Sequence, residues 1–273
     1  MNDAASTDPL WAAALHREDA IGVYLAPGIS AAGRSMISAG TERTGDADFA
    51  PDSFVPRGPW ADGESVVHRI LRPKQQPNGQ VGVYTVDPDI VRQLQRSCEP
   101  NAGLELRRGT VERLLEHCDT QIARVGGNIH IIGLTESRAG GPTITRDNQQ
   151  PGRPKVGLHV DSWDGPEIAD RAQRSQRICI NLGCSYRFLL FINRPVTELD
   201  GTFPADVNKT VRKFLREHRD YPVVAVRVNA GEAYIAPTEY LIHDGWNPSE
   251  GQPDRTFTVR AHFEALPIAR TEP

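Results

Sequence analysis

The segment Lys155-Val156-Gly157-Leu158-His159-Val160-Asp161-Ser162-Trp163 constrains the fold of this chain more than any other. On an extended strand, residues two apart share a face, so His159 and Asp161 point the same way. One strand end therefore offers a nitrogen donor and an oxygen donor together. Far downstream, Tyr240-Leu241-Ile242-His243-Asp244-Gly245 supplies a second imidazole. Two imidazoles and one carboxylate occupy one face of a ferrous ion and leave three positions open. A chain that uses all three must return a distant strand to the side of the first. Taken alone, a His-x-Asp also fits a surface histidine beside a solvated aspartate, so the flanking sequence has to decide.

That flanking sequence is rich in β signals. The runs Arg177-Ile178-Cys179-Ile180-Asn181-Leu182 and Tyr186-Arg187-Phe188-Leu189-Leu190-Phe191-Ile192 lie between Asp161 and His243. After His243 comes Asp254-Arg255-Thr256-Phe257-Thr258-Val259-Arg260-Ala261-His262-Phe263, a β-branched and aromatic run carrying two arginines. The order His-x-Asp, strands, His, then Arg on a closing strand resembles the Fe(II)/2-oxoglutarate-dependent dioxygenase superfamily over roughly residues 125–265. The resemblance implies an α+β, mainly β fold: a double-stranded β-helix (jelly-roll, cupin-like) barrel braced by N-terminal helices. It implies His159, Asp161 and His243 as metal ligands and catalytic centre, with Fe(II), 2-oxoglutarate and O2 as cofactor and cosubstrates. It further implies an arginine about a dozen positions after the distal histidine that pairs with the far carboxylate of 2-oxoglutarate. Arg255 stands at that distance (255 − 243 = 12), and its planar fork suits a carboxylate. Arg260 is a second candidate. Alternation puts the two on opposite faces unless a bulge intervenes, and Arg255 is favoured. Related halogenases replace the motif carboxylate with a small residue, so Asp161 argues for hydroxylation, desaturation or ring formation over chlorination.

Arg177, Cys179 and Asn181 share one strand face. If that face is inward, Asn181 can hydrogen-bond a cosubstrate carboxylate, whereas Arg177 and Arg187 are read as surface charges. Trp163 either walls the substrate site or caps the barrel mouth. Among the other histidines, His16, His117 and His218 sit in polar helix-like runs. His68 and His130 read as structural, and His262 as either cavity lining or edge-strand surface. A different class stays open: a cupin-like metal-binding isomerase or ligand-sensing barrel, for which Glu232 and Glu239 are further donors.

A chain of 273 residues suits one domain over 1–273, with 1–125 as a helical and strand support region and 126–265 as barrel core. With 31 basic and 35 acidic residues, a net charge of −4 leaves no electrostatic footprint for nucleic acid or an anionic membrane. The expected partner is a small polar molecule, such as an amino acid or a natural-product intermediate. The four cysteines show no Cys-x-x-Cys spacing, which argues against a zinc knuckle. Cys179 and Cys184 read as small buried hydrophobes. The polar, acidic N-terminus lacks the pattern of a signal peptide, and no apolar stretch is long enough to span a bilayer. The expected compartment is a reducing cytoplasm, which keeps iron ferrous.

Along the chain, a helix is expected from Asp8-Pro9, then a strand at Ile21–Leu25 and a long loop over 26–64. Strands follow at Val66–Leu71 and Val81–Val86. Helices start at Asp87-Pro88 and run from Gly109 to Arg124, with apolar stripes at helical spacing. Strands are expected at Asn128–Glu136, Thr143–Thr145 and Val156–Asp161, a helix over 206–220, and strands at Val223–Val228 and Glu232–Ile235 joined by Asn229-Ala230-Gly231.

Overall fold

A computed structural model describes residues 21–62, 79–99, 104–137, 141–200, 203, 206–249 and 251–265. Its strands are β1 (Gly22–Leu25), β2 (Ser35–Ser38), β3 (Thr41–Arg43), β4 (Phe54–Pro56), β5 (Trp60–Asp62), β6 (Gln80–Thr85) and β7 (Arg124–Ser137). These are followed by β8 (Gln176–Asn181), β9 (Arg187–Pro195), β10 (Val224–Val228), β11 (Glu232–Ala236), β12 (Leu241–Trp246) and β13 (Asp254–Ala265). Three α-helices accompany them: α1 (Pro88–Ser97), α2 (Leu104–His117) and α3 (Val207–Glu217). The protein is mainly β, as expected.

Two sheets carry the architecture. Sheet one has the order β1-β6-β11-β8-β13-β7, sheet two β12-β9-β10-β2-β5, and β3 pairs with β4 in a separate ribbon. From β7 to β13 the chain places β7 and β8 in sheet one, β9 and β10 in sheet two, β11 in one, β12 in two and β13 in one. Strands from the first 125 residues fill places in both sheets: β1 and β6 in the first, β2 and β5 in the second. The sheets therefore draw on both sides of residue 125.

Strand parity explains the layers. On β8, Ile178 and Ile180 join Val259, Phe257 and the buried faces of α1 and α2 in one apolar cluster outside sheet one. The opposite parity, Cys179 on β8 and Tyr234 on β11, meets Leu189, Phe191, Val224 and Val226 of sheet two between the sheets. Phe188, Leu190 and Ile192 of β9 face outward again, onto Val211, Phe214 and Leu215 of α3. Strands buried on both faces read as continuous apolar runs, which is why Arg187–Ile192 carries no alternation.

The helices follow local rules. The Asp87 side chain accepts from the Asp89 N–H, Pro88 opens α1, and Ile90 and Leu94 are buried. The expected helix from Gly109 to Arg124 begins earlier and ends at His117, where a wider turn, Cys118–Ile122, buries Cys118 and Ile122. Residues 26–64, expected to be a long loop, contain β2 to β5. Those strands are only three or four residues long, too short for a periodic signal. Thr143–Thr145 and Val156–Asp161 form no strands; Pro142, Arg146, Lys155 and His159 make isolated bridges instead. Cys179 is buried as expected, but Cys184 is exposed in the turn after β8. The helix from Asp8 and the strand Val66–Leu71 fall outside the described residues. No helix among the described residues is long and apolar enough to cross a membrane.

One buried ion pair ties the sheets. Arg34, just before β2, donates from Nη1 at 2.6 Å and from Nη2 at 3.3 Å to the Glu232 carboxylate on β11. Asn229 adds its backbone N–H at 2.7 Å and its side-chain amide at 3.0 Å. Burial works to raise the Glu232 carboxyl, but Arg34 and Asn229 outweigh it and hold it below the usual range. A depressed carboxyl contributes stability that is present above the unfolded value, about 4.3, and is lost as pH falls through the folded value. Glu232→Gln should therefore cost on the order of 3 kcal/mol at neutral pH. The difference from the native chain, read by denaturant unfolding, should shrink as the medium is acidified below the ordinary glutamate range.

Candidate metal centre

His159 and His243 are joined through their own backbones. The His159 N–H donates to the His243 carbonyl at 3.1 Å, and the His243 N–H to the His159 carbonyl at 2.8 Å. This reciprocal pair puts both imidazoles on one face, with ring centroids 4.8 Å apart. Two residues on, the Asp161 N–H donates to the Thr238 carbonyl at 3.0 Å, bringing the carboxylate to the same face. Gly157 lets the chain make this approach. Its φ is +71°, and a Cβ there would stand 2.5 Å from the Phe54 carbonyl oxygen, where only glycine fits.

The three side chains converge. His159 Nε2 lies 3.6 Å from Asp161 Oδ1, and His243 Nε2 3.8 Å from Asp161 Oδ2. One ligand atom from each residue falls within 4.8 Å of the others. Donors on one face of an octahedral ion stand about 3 Å apart at bond lengths near 2.1 Å, so small side-chain movements close the set. Each histidine directs its other nitrogen at a main-chain carbonyl two residues back: His159 Nδ1 at Gly157 at 2.8 Å, His243 Nδ1 at Leu241 at 3.0 Å. Those acceptors favour the Nδ1–H tautomer and leave both Nε2 lone pairs facing Asp161. Burial pushes His243 down to about 3, so its imidazole is neutral and able to ligate.

Asp161 is ionised. Burial works to raise its carboxyl, but Arg177, followed by the two histidines, holds it far below the ordinary range. Arg177 Nη2 stands 2.7 Å from Asp161 Oδ2 at an angle outside hydrogen-bond geometry, so Oδ2 keeps no hydrogen-bond partner. An ionised carboxylate with one oxygen facing each imidazole nitrogen, and Oδ2 without a hydrogen bond, is what a divalent cation requires. The residues fit a metal.

A cavity of about 720 Å³ opens beside the triad, lined by Asp161, Trp163, Arg177, Arg187, His243, Thr256 and Thr258 among others. Trp163 thus walls the site, its ring 5.8 Å from the Arg177 guanidinium and 5.7 Å from that of Arg260. Asp244 anchors the wall: its Oδ1 accepts from the Ile144 and Thr145 N–H groups, the Thr145 hydroxyl and the Gly245 N–H. Arg187 rises from β9 into the cavity, with Nη1 3.3 Å from Asp254 Oδ2 and Nε without a hydrogen-bond partner. Gly245 makes room for it, since a Cβ there would stand 2.4 Å from Arg187 Nη2.

The arginine expectations need correcting. Arg255 does not line the cavity; its side chain is 55 % exposed and pairs with Glu136 at 2.7 Å. It shares parity with Phe257, Val259 and Ala261, which face the helices. Arg260 has the inward parity, but its guanidinium is held by the Ser175 hydroxyl at 2.6 Å and Asp164 at 2.9 Å. Asn181 does not line the cavity either. Its amide donates to the Ser185 and Val228 carbonyls and its oxygen accepts from the Gly183 N–H, so it braces a turn. Conversely, Arg187 is buried and Arg177 half-buried, and both line the cavity, so neither is a surface charge. Their inward parity, shared with Cys179 and Leu189, was the available signal. His130 and His262 are exposed. Glu232 is committed to Arg34, and Glu239 is not part of the triad cluster, so no observation favours the cupin-like donor set.

Arg171, on the 3₁₀ turn Ile168–Gln173, also escaped the sequence. It is 1 % exposed. Nη1 donates to the Asp161 carbonyl at 2.8 Å and the Glu239 carbonyl at 3.0 Å, and Nη2 to Ser162 Oγ at 2.9 Å and the Pro166 carbonyl at 3.1 Å. One side chain therefore clamps the residue bearing the carboxylate ligand to the turn that enters β12.

The fold and the site define a mainly β, two-sheeted protein with a two-histidine, one-carboxylate centre on a polar cavity. No family model and no curated protein matches the chain. Among solved structures, it is similar to the Kdo hydroxylase KdoO, a non-heme Fe(II) alpha-ketoglutarate-dependent dioxygenase, at 16 % identity over 69 % of this chain and 81 % of that one, TM-score 0.37. It is also similar to AviO1 from Streptomyces viridochromogenes, at 15 % identity over 71 % and 92 %, TM-score 0.40. A third is the epimerase SnoN, solved with Fe3+ and alpha ketoglutarate, at 13 % identity over 67 % and 78 %, TM-score 0.38.

Arg171→Gln should weaken Mn(II) binding, measured calorimetrically, by about 10- to 100-fold, the usual effect of removing a group that orients a ligand. Lowered thermal stability with unchanged metal affinity would contradict the positioning role.

Proposed function

We propose that this chain is an Fe(II)- and 2-oxoglutarate-dependent oxygenase that hydroxylates a small polar molecule. The observation that carries the reading is the convergence of His159, Asp161 and His243, with both Nε2 lone pairs and a free carboxylate oxygen turned to one point beside a cavity. The strand order supports it: seven strands and the His159 segment alternate between two sheets as a double-stranded β-helix does. We read the chain as one domain, with β7 to β13 as the barrel and the earlier strands extending both sheets.

His159, Asp161 and His243 would hold the metal. Bound Fe(II) with 2-oxoglutarate supplies O2 activation and the oxidising power to attack an unactivated C–H. The protein supplies position, charge and exclusion of water. Arg187 replaces Arg255 as the anchor for the far carboxylate of 2-oxoglutarate: it is buried, cationic and lines the cavity. Arg177 holds Asp161 ionised. Asp161 fills the position a halide would need, which favours hydroxylation over chlorination. The mixed lining of Arg, Asp, Thr and Trp side chains suits a substrate with several polar groups.

The test is succinate release from 2-oxoglutarate with Fe(II) and O2. Arg187→Ala and the more conservative Arg187→Lys should each raise the 2-oxoglutarate concentration needed for half-maximal turnover, the alanine variant by about 30- to 100-fold. Arg255→Ala should leave that concentration within about twofold, as expected for an exposed pair. The opposite ranking would return the anchor to Arg255. Absence of succinate from folded, iron-loaded native protein across a broad screen of small polar substrates would overturn the oxygenase reading.

A further inference from the structure

Among the described residues, β7 lies at the outer edge of sheet one and pairs with β13 alone. It exposes Ile129, Ile131, Ile132 and Leu134, with Ile131 55 % accessible. Long apolar edge strands invite pairing with another strand, and proteins usually blunt them with charges or proline. Here the middle of the strand has neither. Ile129, Ile131 and Leu134 also line an apolar groove of about 850 Å³ with Val111 and Leu115 of α2 and Phe257 of β13. Contiguous apolar surface of this kind marks an interaction site.

The strand's own sequence names its partner. Read antiparallel against itself about His130, position i faces position 260 − i. Arg124 then faces Glu136, Gly127 faces Gly133, and Ile129 faces Ile131 (124 + 136 = 127 + 133 = 129 + 131 = 260). Gly127 and Gly133 both take positive φ, 66° and 92°. The two breaks in the strand therefore fall symmetrically and frame the five residues Asn128–Ile132. A self-complementary patch is what an isologous, two-fold interface demands.

We propose that β7 pairs antiparallel with β7 of a second copy of this chain, about a two-fold axis at His130. The pairing joins two copies of sheet one into a continuous sheet. Four isoleucines, Ile129 and Ile131 from each chain, meet on the groove side. At either end Arg124 of one chain meets Glu136 of the other, adding a second cation to the carboxylate that already pairs with Arg255. Ile132 and Glu136 also line the cavity beside the triad. In this register Asn128 and Arg124 of the second copy stand opposite them, so the dimer completes the cavity rim. The proposal does not depend on which metal or cosubstrate the centre takes.

Light scattering on the full chain should give twice the 30.1 kDa chain mass at micromolar concentration, and Ile131→Asp should give a monomer. Arg124→Glu or Glu136→Arg alone should weaken the dimer by about tenfold, since each affects two symmetry-related pairs. The double swap should restore it. Register is tested by His130→Cys in a Cys184→Ser background. Facing Cα atoms of an antiparallel pair stand about 4.5–5.5 Å apart, within disulfide range, so mild oxidation should crosslink the chains. A native chain that stays monomeric throughout the micromolar range overturns the proposal. So does a dimer that persists in Ile131→Asp without forming the crosslink.

Discussion

Two backbone hydrogen bonds, between the N–H and carbonyl groups of His159 and His243 in both directions, hold the account together. They fix the register between a segment that is barely a strand and the central part of β12. A one-residue slip would send one imidazole to the opposite face and dismantle the centre. Gly157 allows the approach, Arg171 locks the exit from Asp161, and Asp244 ties the neighbouring wall to β12. Each of these features serves the same narrow geometry.

The space between the sheets is divided by chemistry. Leu189, Phe191, Val224, Val226 and Tyr234 pack part of it as an apolar core. Elsewhere the same strand faces turn polar and place Arg177, Arg187, Asp161, Asp244 and Asp254 together. Buried charges cost stability even when paired, and several here keep unbonded atoms, including Asp161 Oδ2, Asp244 Oδ2 and Arg187 Nε. A purely structural core would replace them with apolar side chains. Perturbed, unbonded charges gathered in a cavity mark a candidate binding site.

Much of this was legible in the residues. His159, Asp161 and His243 stood out because metal chemistry restricts ligand types and strand geometry restricts spacing. The β-branched and aromatic runs of β8, β9 and β13 announced strands. The arginines were misread because spacing from His243 was weighed above parity. Phe257, Val259, Ala261 and Phe263 form the apolar register of β13, and Arg255 belongs to it. The polar register of Asp254, Thr256, Thr258 and Arg260 was the one facing the cavity. Asn181 shares the inward parity of Arg177, but a turn three residues wide consumes its amide, which no local pattern foretells. Strands β2 to β5 were invisible because elements of three or four residues carry no periodicity and exist only through long-range pairing. Arg171 was hidden for a related reason: its partners are carbonyl groups brought together by the fold, and sequence does not mark a carbonyl.

The most direct measurement is an anaerobic titration of the metal-free protein with Fe(II) and 2-oxoglutarate, followed in the visible range. A weak charge-transfer band should grow only when both are present and should be lost in His159→Ala. Folded protein that binds Fe(II) tightly yet develops no band with 2-oxoglutarate would contradict the assignment of this centre.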